Sequence, residues 1–268
     1  MSVKIIIGYL RLLQRILQQE QVDLSAQVAP DIWQDFQICL AQPDERDFDV
    51  ERYIVLLHAA QPYFSRQMTL VLAYRVNLQA LGLRGYLAST SLDLQQALQL
   101  LQRYYSLIFK QTNLEKLSVR EFAEHIQIEW TAAHSDYREM YELNLAIMFK
   151  IGQSIAQDTL VPPQFIQFGY VPHTALYHFE RFFGCPIHVQ QGQYAIRYSN
   201  QILYAKSIAS DQQLNQVLSS QAQQSLDSLG SFSAQQQLFK QKILHHIEQG
   251  LLQQGDMLQS YVANWLHC

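Results

Sequence analysis

The spacing of apolar residues changes once along this chain, and that change most limits what it can fold into. Up to about Asn113 apolar positions recur at helical intervals; beyond it, short stretches alternate apolar and polar residues. A period of about 3.6 asks for helices with one buried face, and a period of two asks for strands with one buried face. A chain that uses the first and then adds the second is predicted to be α+β. The expectation is a helical N-terminal half, a small mostly antiparallel sheet with interleaved helices, and a helical C-terminal tail.

Residues 3–20 are predicted as one amphipathic helix with Val3, Ile6, Ile7, Leu10, Leu13, Ile16 and Leu17 on its stripe. Pro30 opens a second helix carrying Ile32, Phe36 and Leu40. A third carries Tyr53, Leu56, Leu57 and Ala60 after the turn at Pro43-Asp44. Pro62 ends it or starts a helix through Met68, Leu72 and Tyr74. Gly82 and Gly85 read as brackets of a tight connection. Thr90-Ser91-Leu92-Asp93 reads as a capping box, with the Thr90 hydroxyl at the cap, before a helix through Leu94, Ala97, Leu98, Leu101, Tyr105 and Ile108.

The alternation Ile126-Gln127-Ile128-Glu129-Trp130 predicts a half-buried strand, with Leu117-Ser118-Val119 as its hairpin partner. A helix over 137–157 follows, stopped by Pro162-Pro163, then an alternating Ile166, Phe168 and Tyr170. A short helix from Thr174 to Phe183 is expected to be capped by Thr174 and ended by Gly184. Two short strands follow around 187–189 and 194–198. From these the chain divides into residues 1–205, a folded unit, and 206–236, rich in Ser, Gln, Asp and Ala. The second stretch reads as a linker or dimer-contact segment with a thin helix over 211–226. Helical patterns return at 237–249 and after Gly255-Asp256.

Composition narrows the function. Charged residues make up 16% and the net charge is −4, which argues against a protein that coats nucleic acid. Glutamine, at 39 residues, takes up the missing polarity. Cys39, Cys185 and Cys268 lie far apart, which suits a reducing compartment better than a disulfide scaffold. The sequence shows neither a targeting segment nor an apolar run of membrane-spanning length, so a cytoplasmic location is expected.

Phosphate loops, dinucleotide fingerprints, zincin pairs and nucleophile elbows are missing from the sequence, and no cofactor is called for. Cys185 and His188 stand three apart, too few for a metal site by themselves. His245 and His246 are adjacent and diverge by about 100° on a helix. Glu129 shares its strand face with His125 and Gln127, as on a solvated face, and Glu121 and Glu124 lie nearby; acid–base chemistry is the lesser reading of these three. Tyrosines and other aromatics gather where the helical and β halves should meet (Tyr86, Tyr104, Tyr105, Trp130, Tyr137, Tyr141, Phe149), which suits either core packing or a small-molecule cavity.

The stretch Phe179-Glu180-Arg181-Phe182-Phe183-Gly184-Cys185-Pro186-Ile187 resembles a block of AraC-type transcription regulators whose sensor is an arabinose-binding-like N-terminal domain. Gly82-Leu83-Arg84-Gly85-Tyr86-Leu87 is similar to that family's turn before its long helix. The resemblance covers about residues 3–210; residues 62–81, with Pro62-Tyr63-Phe64, depart from it. It implies that 1–205 is a ligand-sensing domain and that 237–268 is the start of a helix-turn-helix DNA-binding domain, incomplete because Cys268 comes before the recognition helix. It further implies a homodimer, an unidentified small-molecule effector, and DNA contact only through the missing C-terminal part. Residues 206–268 carry three Lys, no Arg and four acidic residues, which does not make a DNA-binding face.

Arg84, Tyr86, Tyr105 and Trp130 are the expected effector-binding residues, placed where turn and strand edge should meet. Arg84 would pair with a carboxylate, or else is a surface arginine. The rival reading is a small hydrolase or metal-binding enzyme that uses Cys185 and His188; it predicts bound metal or a reactive thiol.

Overall fold

The computed structural model describes residues 3–41, 48–76, 83–105, 109–110, 117–131, 135–156 and 161–228. Residues 1–222 form one folded unit and 223–268 a second. The α+β expectation holds: helices dominate the N-terminal half and a five-stranded sheet follows.

The first helix is shorter than its periodicity suggests. Lys4–Ile5 is a strand, β1, and helix α1 spans Ile7–Gln19. β1 is the middle strand of a small sheet, between β2 (Phe48–Asp49) and β3 (Phe109–Lys110), all antiparallel. A run of three isoleucines suits either period, and pairing with two distant segments decides for strand. Helices α2 (Pro30–Ala41), α3 (Val50–Ala60) and α4 (Met68–Arg75) follow as their periods predict. Asp49 caps α3 by accepting from Glu51 N at 2.9 Å.

Helix α5 (Leu83–Ser89) replaces the expected tight connection, with Gly85 inside it; Gly82 lies outside the described residues. The cap of α6 (Leu94–Arg103) is also one step on from its expected place. Asp93 is the capping residue, accepting from Gln96 N at 3.0 Å, while Gln96 Oε1 accepts from Leu92 N at 2.6 Å. Thr90 Oγ1 instead donates to Tyr86 O at 2.8 Å and closes α5. A hydroxyl at the end of one helix and a carboxylate at the start of the next divide the work assigned to one box.

The larger sheet runs in the order β4 (Ser118–Glu121), β5 (His125–Thr131), β8 (Gln193–Ser199), β6 (Phe165–Phe168), β7 (Ile187–Val189). All neighbours are antiparallel except β6 and β7, which are parallel. Helix α7 (Arg138–Ala156) is buried nearly all round and packs on this sheet and on α3 to α6. A helix buried on nearly every face belongs to a core, where each fully buried Leu or Ile contributes about 1.5–3 kcal/mol. Helix α8 (Leu176–Phe183) follows β6; Ala175 occupies its cap without a side-chain bond, so Thr174 does not cap it. Gly184 ends it at φ 70°, as expected of glycine.

Residues 205–215 are tied to the α5–α6 junction. Leu94 N donates to Ala205 O at 3.1 Å, Ser207 Oγ to Ser89 O at 2.8 Å, and Asp211 N to Thr90 O at 3.0 Å. Helix α9 (residues 212–228) starts there. Its Asn215 is buried and donates to Leu87 O and Thr90 Oγ1, both at 2.9 Å. The helical patterns at 237–249 and beyond 255, together with His245, His246 and Cys268, lie outside the described residues.

Candidate functional site

Strand register builds the site. β5 and β8 pair Trp130 with Tyr194, Ile128 with Ile196 and Ile126 with Tyr198, all on the face toward α7. Trp130 and Tyr194 lie nearly parallel, 14° apart with centroids at 6.4 Å. Tyr141 of α7 stacks on Tyr194 at 4.9 Å, and Phe168 of β6 leans against it at 5.8 Å. Gly169 follows Phe168 directly against the Tyr194 ring: a Cβ there would stand 2.8 Å from Tyr194 Cε2.

Four polar atoms in this centre have no hydrogen-bond partner among the described residues: Trp130 Nε1, Tyr194 Oη and both carboxyl oxygens of Glu142. Trp130 is 3% exposed, Glu142 1% and Tyr194 0%. A buried polar group left unpaired costs about 1–3 kcal/mol, and such groups are rare in folded proteins. Burial drives the Glu142 carboxyl well above the ordinary glutamate range; Glu139 adds to the rise and Arg138 opposes it. Burial also raises the Tyr194 phenol, with Glu142 the next contributor.

Glu139, one turn away on α7, is partnered. Its Oε1 lies 2.9 Å from His58 Nε2 of α3 and 3.3 Å from His173 Nε2 in the loop after β6. Arg138 Nη1 donates to Val171 O of the same loop at 3.0 Å. Beyond Tyr141, the Tyr9 hydroxyl donates to Asn144 Oδ1 at 2.6 Å. A cavity of about 20 Å³ lies in the same layer, lined by Leu98, Leu101, Ile128, Ile151, Ile196 and Tyr198. That is room for about one water, with apolar walls.

The opposite face of the sheet is polar. Glu129 faces away from α7 as the alternation predicts, yet it is buried, so a plainly solvated face is not what forms. Arg120 pairs with it, Gln127 donates to it, and Gln193 donates at 2.9 Å. Arg197 donates to Gln127 Oε1 and lies over the Phe165 ring, which stacks on His188.

Of the four residues expected to bind an effector, Trp130 and Tyr105 each lie among other aromatic residues. Trp130 faces Tyr194, and Tyr105, half-buried after α6, lies beside Tyr9 and Tyr141, with its phenol raised chiefly by burial. Tyr86 is exposed on α5, and the Arg84 side chain lies outside the described residues. Glu142 and Tyr194 escaped the sequence reading. The signal for Glu142 is a carboxylate set among Met140, Tyr141, Leu143 and Leu145 in a long helix. Tyr194 was hidden in an ordinary alternating strand.

The Cys185 thiol is buried and pushed up to about 11, mainly by desolvation, so it is not a thiolate near neutrality. Among the described residues no three His, Cys, Asp or Glu side chains are arranged to hold a metal ion, and no helix is long and apolar enough to cross a membrane.

No curated protein matches the sequence. The structure is similar to that of the transcriptional regulator CdpR from Pseudomonas aeruginosa, at a TM-score of 0.57 and 12% identity over 79% of this chain. The chain spans 61% of that structure's length, and the likeness is one of fold. Residues 29–206, well over half of the chain, match the arabinose-binding N-terminal domain of AraC transcription regulators. With that match beside the helical half, the sheet and the Phe-Gly-Cys-Pro turn, the chain belongs to the family of AraC-type regulators that carry this N-terminal domain.

Proposed function

We propose that residues 1–205 are the effector-sensing part of a cytoplasmic AraC-type transcription regulator and that the chain is not an enzyme. A small molecule binds in the centre around Tyr194 and shifts the balance between conformations. DNA contact belongs to a helix-turn-helix part that begins at about residue 237, and the working unit is a homodimer. The observation that carries the reading is the cluster of unpaired buried polar atoms within a domain of this family. The small cavity in this layer is lined by Ile128 and Ile196, the next pair along that sheet face from Trp130 and Tyr194, so an effector enters by displacing side chains.

A route for the signal is supported by the packing. α7 carries Tyr141 and Glu142 and packs on α5; the α5–α6 junction holds residues 205–215. A shift of α7 toward or away from the sheet would thus reach the segment 206–236. Thermal-shift screening of a small-molecule library tests the site, repeated with Trp130→Phe, which keeps the ring and removes the N–H. A ligand whose stabilisation weakens in the variant supports the site; equal stabilisation of both proteins by every hit rejects it.

A further inference from the structure

We infer that the effector carries a protonated amine, held by the Glu142 carboxylate and by the ring faces of Tyr141, Tyr194 and Trp130. This rests on the sensor reading above and adds the chemical class of the ligand. Glu142 has acceptor capacity on both oxygens and no donor among the described residues. An ammonium brings three donors and a charge. The neighbouring charges favour a cation: Glu139 lies one turn away, and the opposing Arg138 already donates to Val171 O. Glu139 has His58 and His173, so Glu142 is the carboxyl left to a ligand.

The rings point the same way. Aromatic faces are negative, and a desolvated cation against Tyr or Trp gains from them. Tyr141, Trp130 and Phe168 cluster on Tyr194, and Glu142 is the charged group that acts most strongly on the Tyr194 phenol. An anion would meet Glu139 and Glu142. A neutral polyol could donate to Glu142 but gains nothing from the ring charge. Trp130 Nε1 and Tyr194 Oη lack partners as well, so the amine should also carry an oxygen acceptor, as an amino alcohol or amino acid does.

Binding has a proton balance. Burial favours the protonated form of the Glu142 carboxyl in the free protein. When the ammonium arrives, Glu142 loses its proton to solvent and the carboxylate pairs with the cation; no other bond changes. Each Glu142 carboxyl that holds a proton before binding releases it to solvent.

The test uses the full chain with ethanolamine, L-lysine and putrescine, matched against ethylene glycol, 1,4-butanediol and L-arabinose. At least one oxygen-bearing amine should raise Tm, and its affinity should fall about tenfold or more in Glu142→Gln. That variant is neutral and nearly isosteric, and its own Tm should not be lower than that of the parent. Calorimetry of the binding amine in two buffers of different ionisation enthalpy should show proton release. A shift only with polyols, lost in Trp130→Phe, overturns the amine while the sensor site stands. An amine that stabilises Glu142→Gln as well as the parent binds elsewhere and overturns the proposal. No shift with any of the amines overturns it too, and the library screen with Trp130→Phe then decides the sensor site separately.

Discussion

Glu142 makes stability depend on pH in a direction opposite to that of a salt-bridged acid. Its carboxyl titrates higher in the folded chain than the ordinary 4.5 of the unfolded one. Below the ordinary value both states hold the proton. As pH rises past it, the unfolded chain gives the proton up and the folded chain keeps it. Stability therefore falls with rising pH, by up to about 1.4 kcal/mol per pH unit, until the folded group ionises. Glu142→Gln should be more stable than the parent at pH 8 and should give a flatter profile in urea titrations from pH 5 to 8. Parallel profiles for the two proteins would mean that Glu142 is already ionised in the folded state. Glu129 is the contrasting case, a buried carboxylate with donors from Arg120, Gln127 and Gln193. Arg120 is more than half exposed, so Arg120→Ala should cost only about 1–2 kcal/mol, read as a lowered urea midpoint.

Among elements, α9 is joined to the α5–α6 region by Asn215, by Asp211 N donating to Thr90 O at 3.0 Å and by Tyr104 Oη donating to Ser219 O at 3.2 Å. Asn215 makes two buried bonds there; removing it takes a donor from Thr90 Oγ1, while Leu87 O keeps the Ser91 hydroxyl at 2.8 Å. Asn215→Ala should cost about 1–3 kcal/mol and speed hydrogen exchange in residues 205–222 well before it affects β5 and β8. Uniformly faster exchange would deny the joint any local role. The loop after β6 is fixed differently, by close approach. Gly169→Ala puts a methyl group 2.8 Å from Tyr194 Cε2 and 3.0 Å from Gln193 N, and should destabilise by about 1–3 kcal/mol as the ring is pushed aside. A thermal midpoint equal to the parent's would show that Tyr194 yields freely. These two elements also show why local sequence misleads. Thr90 and Asp93 are both good capping residues, and only the fold of the chain between α5 and α6 decides which one caps α6.

For the molecule as a whole, the packing of 205–215 holds the start of the 206–236 segment against the α5–α6 junction. Light scattering should give twice the monomer mass if the chain pairs as the regulator reading requires; a monomer at all concentrations would remove the homodimer from the account. Residues 206–268 hold only three Lys and no Arg, so fluorescence anisotropy should show no sequence-selective, salt-sensitive binding of promoter DNA by this chain.

The period of the apolar residues was enough to place helices α2 to α4 and α6 to α8, the β4–β5 hairpin and the α+β class, though not α5 or the start of α1. It could do so because a helix or strand face is written locally by which neighbours it must bury. The block from Phe179 to Ile187 and the glycine at 184 carried the family, since a left-handed turn and its flanking rings are also local. What sequence could not say is which distant atoms meet. β1 became a strand because Phe48 and Phe109 came to it from far along the chain. Glu142 became a buried, unpaired acid because α7 was enclosed on nearly every side, and Tyr194 came to the centre of the ring cluster because register set it opposite Trp130. Burial and partnership are properties of pairs brought together by folding, and no single stretch of residues contains them.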